Sequence, residues 1–229
     1  MGGGYYLISG KQIKESELAS VLGEGYFFVK PTDGMGGNGI FTITVSNGTI
    51  KCDNKPVKQL PIEINRNYII QRALVQRPDI AAINSSSINT LRIVTQNFRS
   101  QPKICACVMR IGRNGSFVDN SAQGGLSIKI DVETGMMNDY AVGEHVDGNY
   151  YKHPDSEFVF KGYKITGWDK IKESLLDYVS RVRDIPEIAW DVAVVEDGIE
   201  IIEMNINYGI DHRQTSCGGM RRALSIYPI

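Results

Sequence analysis

Short apolar runs rich in β-branched and aromatic residues recur through this sequence, and they constrain its fold more than any other feature. The runs are GYFFVKP, IFTITV, TIKC, YIIQR, NTLRIVTQ, KICACVMRI, GSFVD, LSIKIDV, IAWDVAVV and IEIIEMN. Turn residues separate several of them, at Asn47-Gly48, Arg113-Asn114-Gly115 and Glu133-Thr134-Gly135, which predicts consecutive antiparallel strands. Many strands with few helices are typical of an α+β fold and argue against a parallel, doubly wound sheet.

Two stretches have the signals of helices. A short helix is predicted over Glu15–Leu22, ended by Gly23. A longer amphipathic helix is predicted from Trp168, with Asp169 as its cap and Pro186 beyond its end. Its apolar residues recur at helical spacing and are Ile171, Leu175, Tyr178, Val179 and Val182. This helix precedes the last hairpin of the chain.

The charge balance excludes two classes of partner. The 229 residues include 25 Lys+Arg and 26 Asp+Glu, for a net charge of -1, so no long-range field attracts nucleic acid or an anionic membrane. No apolar stretch is long enough to span a bilayer, and the first residues lack the pattern of a signal peptide. We therefore expect neither a nucleic-acid partner nor a membrane span.

The cysteines, histidines and tryptophans give weaker signals. The cysteines are Cys52, Cys105, Cys107 and Cys217; their spacing matches neither a zinc site nor a disulfide framework, so we expect a reducing, cytoplasmic compartment. Cys105 and Cys107 lie two apart in an apolar run, which predicts side chains on one face of a strand. Polar stretches hold His145, His153 and His212, which we expect to be solvated loop residues. Trp168 and Trp190 are expected in the core.

A glycine-rich loop, 34–39, joins two predicted strands. Its letters GMGGNG match G-x-G-x-x-G, but β-branched residues follow it in place of the helix that a dinucleotide loop opens. No Lys-Ser/Thr pair ends it, so it is not a P-loop. Lys30 instead precedes the loop, on the strand that leads into it. Backbone N–H groups of such a loop can approach phosphate oxygens, and Lys30 would add a point charge. The alternative is a surface hairpin with a solvated lysine.

Two carboxylates interrupt the apolar strands of the last hairpin. A two-residue turn at 197–198 would put Asp191 and Glu203 on opposite faces, whereas a three-residue turn at 196–198 sets them opposite each other, with Asn205 on the same face. We favour the three-residue turn, because two buried carboxylates repel unless a cation joins them. Such oxygen ligands suit Mg²⁺ bridging nucleotide phosphates. The alternative is a pair of solvated carboxylates at strand ends.

Arg92 and Asn120 are further candidates. Arg92 interrupts an apolar strand, where a guanidinium needs an anionic partner, either a phosphate or a structural carboxylate. Asn120 precedes Gly124-Gly125 and is either a ligand or a turn residue.

In combination these features resemble the ATP-grasp superfamily. The segments FVKPTDGMGGNGI, YIIQRALVQRPDIAAIN, NTLRIVT and AWDVAVVEDGIEIIEMN are most similar to the group called sugar-transfer-associated ATP-grasp proteins, and the resemblance runs from Tyr26 to Asp211. The spacing of Asp191 and Glu203 is also similar to that in ribosomal-protein glutamate ligases. The resemblance implies an ATP-grasp fold of two lobes of antiparallel sheet with the nucleotide between them. Residues 1–72 would form the glycine-flap lobe and 73–229 the C-terminal metal-binding lobe.

The resemblance also implies how the first part of the chain would bind ATP. Lys30 would contact the α- and β-phosphates, and the glycine flap would close over them. The flap glycines are Gly34, Gly36, Gly37 and Gly39. The hinge residues Gln71, Arg72 and Leu74 would line the adenine, and Asp79 would bind the ribose. Gln71 stands where many relatives have a glutamate.

The remaining roles implied by the resemblance concern phosphate and metal. Arg92 would face the γ-phosphate or the acyl phosphate and, with Lys30, would form the catalytic set. Asn120 would lie near phosphate and metal. The Mg²⁺ ligands would be the carboxylates of Asp191 and Glu203 and the side-chain amide of Asn205.

The function that the resemblance implies is an ATP- and Mg²⁺-dependent carboxylate–amine ligase that forms an acyl phosphate, in cell-surface polysaccharide or peptide-conjugate biosynthesis. Its substrates would be a small carboxylate and a small amine. The alternatives are a non-catalytic nucleotide-binding partner of a glycosyltransferase and a phosphotransferase. ATP-grasp ligases usually carry a further N-terminal domain, whereas 25 residues precede Tyr26. We therefore expect that domain to be absent here: either the chain is a fragment, or acceptor binding is reduced or supplied by a partner.

Overall fold

The fold is that of a computed structural model, which describes residues 5–8, 11–33, 38–52, 55–63, 66–98, 101–116, 124–143, 148–182, 184–209 and 217. The chain divides into two compact units, Met1–Ala73 and Leu74–Ile229. Each unit is built on its own antiparallel sheet. In the described residues the strands far outnumber the three α-helices, which confirms the predicted α+β fold.

Unit 1 begins with a hairpin and a short helix. Strands β1 (Tyr5–Ile8) and β2 (Lys11–Lys14) pair antiparallel, a hairpin that the sequence pattern does not predict. A 3₁₀ turn at Glu15–Glu17 leads into helix α1 (Leu18–Leu22), so the predicted first helix is confirmed. Gly23 ends the helix with a φ of 71°, a left-handed conformation that favours glycine.

The main sheet of unit 1 has five antiparallel strands. In chain order they are β3 (Gly25–Pro31), β4 (Phe41–Ser46), β5 (Thr49–Cys52), β6 (Lys55–Pro56) and β7 (Tyr68–Arg72), and across the sheet they run β6-β5-β4-β3-β7. One face is apolar: alternate residues of β3 and β4 pack against Leu18 of α1. The turn between β4 and β5 is the predicted one, with φ values of 49° at Asn47 and 68° at Gly48.

Unit 2 contains a seven-stranded antiparallel sheet with the strand order β12-β11-β10-β9-β8-β13-β14. A one-turn helix α2 (Pro78–Ala81), which the sequence pattern does not predict, precedes it. The strands are β8 (Thr90–Phe98), β9 (Gln101–Ile111), β10 (Leu126–Ile130), β11 (Ala141–Gly143), β12 (Asn149–Tyr150), β13 (Glu187–Val195) and β14 (Gly198–Asn205). Of the predicted GSFVD strand, 115–116 lie in a turn and 117–119 lie outside the described residues.

Helix α3 (Trp168–Arg181) packs on one face of this sheet and forms the largest core with it. Trp168 and Trp190 are both buried there, as predicted. The predicted cap is wrong. The N-cap is Gly167, which has a φ of 68° and no side chain to accept a hydrogen bond; Asp169 lies in the first turn and pairs with Lys172 at 3.0 Å.

A β-bulge reverses the expectation for two cysteines. On β8 and β9, Val94 pairs with Ala106 but Thr95 pairs with Ile104. Cys105 is therefore the additional residue, and it turns to the face opposite Cys107. Cys107 is in the core beneath α3, whereas Cys105 packs with Val94 and Ala106 on the other face. The prediction that both cysteines share a face is wrong because alternation stops at the bulge.

His153 is also not the solvated residue that its polar neighbours predict. It is fully buried. Its Nδ1 accepts hydrogen bonds from the backbone N–H groups of Asp155 and Ser156, at 3.3 Å each, and Nε2 lies 2.8 Å from the carbonyl oxygen of Gly112. Because Nδ1 accepts hydrogen bonds, the ring N–H is at Nε2, which donates a hydrogen bond to the carbonyl oxygen of Gly112. His145 and His212 lie outside the described residues.

A buried polar network fixes the segment that enters β8. Gln76 Oε1 accepts from the backbone N–H of Asn89, at 3.0 Å, and its Nε2 donates to the carbonyl oxygens of Asn84 and Ser87. Asn89 is fully buried, and its amide donates to the carbonyl oxygens of Ile80 and Asn84. Asn89 Oδ1 is buried and has no hydrogen-bond donor within the described residues, but the hydrogen bonds that the two side chains do form hold one backbone arrangement.

Candidate functional site

A polar face lies on the side of the seven-stranded sheet opposite α3. Strand pairing defines it: Arg110 faces Ser127 on β10, Arg92 faces Asp191 on β13, and Asp191 faces Glu203 on β14. Directly paired residues in antiparallel strands point to the same side. We call the set Ser127, Arg110, Arg92, Asp191, Glu203 and Asn205 the polar face.

A carboxylate held by two guanidinium groups stands at the centre of the polar face. Arg92 grips Asp191 in a two-point contact, from Nε to Oδ1 and from Nη2 to Oδ2, each at 2.6 Å. Arg110 Nη1 reaches the same Oδ2 at 3.2 Å. The side chain of Asp191 is 5% exposed, against 17% for Arg92 and 14% for Arg110. Two cations thus compensate one almost fully buried anion.

This arrangement shows one of the two kinds of partner that the sequence left open for Arg92. The sequence left a phosphate and a structural carboxylate as alternative partners, and in this structure Asp191 is a partner of Arg92. In the conformation described, guanidinium groups compensate the charge of Asp191. Arg110 was not among the predicted residues, although its signal is the same as that of Arg92: a guanidinium in the apolar run KICACVMRI.

In the last hairpin the predicted pairing results from a different turn together with a β-bulge. Asp191 lies opposite Glu203, as predicted, but the turn is wrong: Val195 pairs with Gly198, so the turn has two residues. A bulge between Asp191 and Val192 then shifts the register by one residue. The prediction that both carboxylates are buried holds only for Asp191, since Glu203 on the edge strand is exposed.

The polar face offers oxygen donors of the chemical type that a divalent cation takes. Asp191 and Glu203 offer carboxylate oxygens, and Asn205 offers an amide two residues beyond Glu203 on the same side of β14. The amide nitrogen of Asn205 is buried and has no hydrogen-bond acceptor within the described residues. An anionic oxygen at the polar face would satisfy it. Within the same residues, no three His, Cys, Asp or Glu side chains form a metal cluster, so a cation here would take further oxygens from another source.

In unit 1, Lys30 and Gln71 lie on the face of the five-stranded sheet opposite the apolar core of that unit. Lys30 Nζ donates to Gln71 Oε1 at 2.9 Å and lies 5.9 Å from the centroid of the Phe28 ring. Tyr26 packs edge to face on Phe28, with centroids 5.7 Å apart. A half-exposed aromatic surface beside an ammonium group suits a ligand with a flat ring and an anionic group.

Arg72 points away from Lys30 and Gln71. It pairs with Phe27 on β3 and lies 4.7 Å from that ring's centroid. Its guanidinium donates to the carbonyl oxygens of Glu24, at 2.8 Å, and Leu22, at 3.3 Å. The side chain therefore satisfies carbonyl groups at the end of α1, and a contact between Arg72 and a ligand on the Lys30 side would use its backbone.

Of the glycine loop, only residues 38–39 lie within the described part of the chain, and Asp33 immediately precedes the loop. Asp33 pairs with Arg66 at 2.7 Å, and the hydrogen bond from Arg66 lowers the pKa of Asp33. Gly39 has a φ of 74°, and an added Cβ would lie 3.2 Å from Pro31. The predicted flap residues Gly34, Gly36 and Gly37 lie outside the described residues, as does Asn120.

Asp79 is held by its own neighbours in unit 2. Arg77 contacts both of its oxygens, at 2.6 and 2.9 Å, and the Tyr163 hydroxyl donates to Oδ2 at 3.1 Å. Burial is the largest single effect and by itself would raise the pKa of Asp79, but the hydrogen bonds from Arg77, Tyr163 and Thr166 and the charge of Arg77 together outweigh it, and the pKa is lowered. Burial, together with the Asp79 charge, raises the pKa of Tyr163. Leu74, at the start of this unit, is half-buried.

Comparison with known proteins gives one match. A family model described as sugar-transfer associated ATP-grasp covers residues 5–223, almost the whole chain. No curated protein and no solved structure matches significantly. No helix in the described part of the chain is long and apolar enough to cross a membrane.

Proposed function

We propose a reaction for this chain from one premise: it belongs to the sugar-transfer associated ATP-grasp family. The reaction is an ATP- and Mg²⁺-dependent joining of a carboxylate to an amine, in cell-surface polysaccharide or peptide-conjugate biosynthesis. A carboxylate oxygen attacks the γ-phosphorus of ATP, and the bond from that phosphorus to the β–γ bridging oxygen breaks. The products of this step are an acyl phosphate and ADP. The amine then attacks the acyl carbon, phosphate leaves, and the nitrogen loses a proton.

This chemistry needs positioned charge rather than a protein nucleophile. Both steps gather negative charge on phosphate oxygens, so catalysis comes mainly from holding the reactants and compensating that charge. The sequence has no convincing pair of nucleophile and base. The observation that carries the proposal is the polar face, where Arg92 and Arg110 meet on one almost fully buried carboxylate.

In unit 2 we assign Arg92 to the γ-phosphate and to the acyl phosphate that forms from it. Asp191, Glu203 and Asn205 would hold Mg²⁺, which when bound compensates phosphate charge. Asp79 would accept a ribose hydroxyl. A carboxylate has about four acceptor sites. Arg77 and Tyr163 use three of those on Asp79, and Thr166 is a further hydrogen-bond partner, so a ribose hydroxyl would replace one of these contacts.

In unit 1 we assign Lys30 to the α- and β-phosphates and the neighbouring hinge to the adenine. The hydrogen bond to Gln71 fixes the Lys30 ammonium on one side of the sheet. Because the Gln71 amide is neutral, its hydrogen bond orients Lys30 without cancelling the ammonium charge. Gln71 would contribute its side chain, and Arg72 its backbone. Gly39 belongs to the flap, and Leu74 would line the adenine.

The experiment is phosphate release from Mg-ATP with panels of carboxylates and amines. The proposal expects release only when both substrates are present, and expects hydroxylamine to replace the amine and trap a hydroxamate. The Glu203→Gln variant should lose this activity. A matched control is Glu173→Gln, the same change at an exposed position of α3, on the other side of the sheet; it should leave activity unchanged.

Two outcomes would contradict the ligase, and a third would contradict the metal site. Nucleotide binding without turnover across the panels would make the chain a binding partner, for example of a glycosyltransferase. A phosphorylated alcohol in the mass spectrum, with no amide, would make it a phosphotransferase. Equal loss of activity in Glu203→Gln and Glu173→Gln would remove the assignment of the metal site.

A further inference from the structure

The two arginines hold Asp191 unequally. Arg92 makes two contacts of 2.6 Å through the forked geometry that suits a carboxylate, whereas Arg110 makes one contact of 3.2 Å. Two-point, charge-assisted hydrogen bonds are the stronger kind. Arg92 is therefore the firm partner of Asp191, and Arg110 is the partner that is released more easily.

These contacts also occupy both oxygens of Asp191. Oδ1 accepts from Arg92, and Oδ2 accepts from Arg92 and Arg110. A divalent cation approaching Oδ2 would meet two guanidinium groups of like charge in a site of low exposure, where repulsion is weakly screened. In the conformation described, Asp191 is therefore a poor metal ligand, unless a guanidinium leaves.

We infer that Arg110 is an exchange residue, which pairs with Asp191 in the absence of nucleotide and turns to a nucleotide phosphate when Asp191 takes a divalent cation. This inference rests on the proposed function. Moving Arg110 away from Asp191 with nothing in exchange would break a charge-assisted contact in a half-buried site, which is costly. A phosphate that arrives with the cation supplies a replacement, so cation and triphosphate bind with positive coupling. Arg110 is thus a positioning residue for the metal and a contact for phosphate.

The test compares Arg110→Met with the wild-type chain, using two binding measurements. Met keeps the apolar stem and removes the charge. First, Mn²⁺ alone is titrated and free Mn²⁺ is followed by electron paramagnetic resonance. Arg110→Met should bind Mn²⁺ about tenfold more tightly than wild type, because one repelling charge is gone. Second, at saturating Mn²⁺, a non-hydrolysable ATP analogue should bind about tenfold more weakly, because one phosphate contact is lost.

Two further variants control the test. Arg181→Met removes an exposed guanidinium from α3 and should change neither affinity. Arg110→Lys keeps a charge and should leave the Mn²⁺ affinity near the wild-type value. If Arg110→Met does not fold, Arg110→Gln replaces it in both measurements.

The possible failures are distinguishable. If wild type binds the ATP analogue but Arg110→Met binds Mn²⁺ no more tightly, the exchange is overturned while the proposed function stands. If the Mn²⁺ affinity rises but analogue binding does not fall, Arg110 does not contact phosphate and the exchange is again overturned. A folded wild-type chain that binds no analogue overturns the proposed function, and this inference with it.

Discussion

At the scale of single residues, Gly135 shows how tightly the core of unit 2 is packed. It has a φ of 75°, and a Cβ added there would lie 2.5 Å from Cγ and 2.7 Å from Cβ of Trp168, the buried first residue of α3. Gly48 has a similar φ of 68°, yet an added Cβ would meet no atom within 4 Å. Alanine substitutions at the two positions therefore distinguish the cost of backbone strain, present at both, from the cost of a steric clash, present only at Gly135.

We predict that Gly48→Ala lowers the free energy of unfolding by about 1 kcal/mol, the cost of a left-handed conformation for alanine. Gly135→Ala should lose about 2 kcal/mol more, because Trp168 must move in a packed core. Urea unfolding measures both. Equal losses at the two positions would show that the clash with Trp168 is relieved without cost.

His153 gives a second prediction at this scale. His153→Ala removes the donor to Gly112 and the acceptor for two backbone N–H groups in a fully buried position. It should lower the free energy of unfolding by about 2 kcal/mol. Tryptophan fluorescence during urea unfolding can follow this, since both tryptophans are buried in the same unit.

The control for His153 is its neighbour. The side chain of Lys152 is 57% exposed in a surface ion pair with Glu157, so Lys152→Ala should change the stability by no more than about 0.5 kcal/mol. A His153→Ala variant as stable as Lys152→Ala would contradict a structural role for this histidine.

Individual residues also show what the sequence could predict about the site. Arg92 and Asp191 interrupt apolar strands, and such interruptions indicate groups that need partners. This argument identifies Arg92, and it identifies Arg110 equally, because Arg110 also interrupts an apolar strand. It does not say that the three side chains meet, because their contact depends on strands that are distant in sequence. His153 was misjudged because its partners are backbone groups, which leave no mark in composition.

At the scale of elements, Arg72 joins helix α1 to strand β7 by its bonds to Leu22 and Glu24. We predict that Arg72→Met lowers the free energy of unfolding by about 1 kcal/mol, since both hydrogen bonds are lost at a largely exposed site. Binding of an ATP analogue should be unchanged under conditions where the variant is folded. Gln71→Ala, on the other side of the same strand, should show the reverse: weaker binding with little loss of stability.

Calorimetric titration and urea unfolding of both variants decide between these roles. Analogue binding about tenfold weaker in Arg72→Met, with unchanged stability, would mean that the guanidinium contacts nucleotide. The role in holding α1 would then be wrong.

Bulges limited the prediction of strand register. Alternating hydrophobicity located both strands of the last hairpin, and the pairing of Asp191 with Glu203 is confirmed. The turn length was wrong because a two-residue turn and a bulge together give the same offset as the expected three-residue turn. The bulge at Cys105 likewise changed the expected geometry, because it places Cys105 and Cys107 on opposite faces of the sheet. A bulge depends on how two strands fit each other, so one strand's pattern does not predict it.

At the scale of the whole molecule, the chain consists of two units, each with its own apolar cluster. The α+β class could be predicted because strand alternation and turn residues are local signals. Family membership could be predicted because it depends on several motifs in a fixed order. The acceptor substrate could not be predicted, because recognition of small substrates depends on the shape of a pocket and not on a sequence motif.

We propose that Lys30 in unit 1 and the polar face in unit 2 each contribute to the binding of Mg-ATP. The most direct test is the unfolding temperature with and without a non-hydrolysable ATP analogue and Mg²⁺, for wild type, Lys30→Ala and Glu203→Gln. Exposed positions provide the controls Lys58→Ala and Glu173→Gln.

A ligand at 100 times its dissociation constant stabilises the folded state by roughly 2.7 kcal/mol, so a clear rise in unfolding temperature is predicted for wild type and both controls. This rise should require Mg²⁺ and should disappear in Lys30→Ala and Glu203→Gln. No rise in folded wild type, or an equal rise in all five proteins, would contradict the claim.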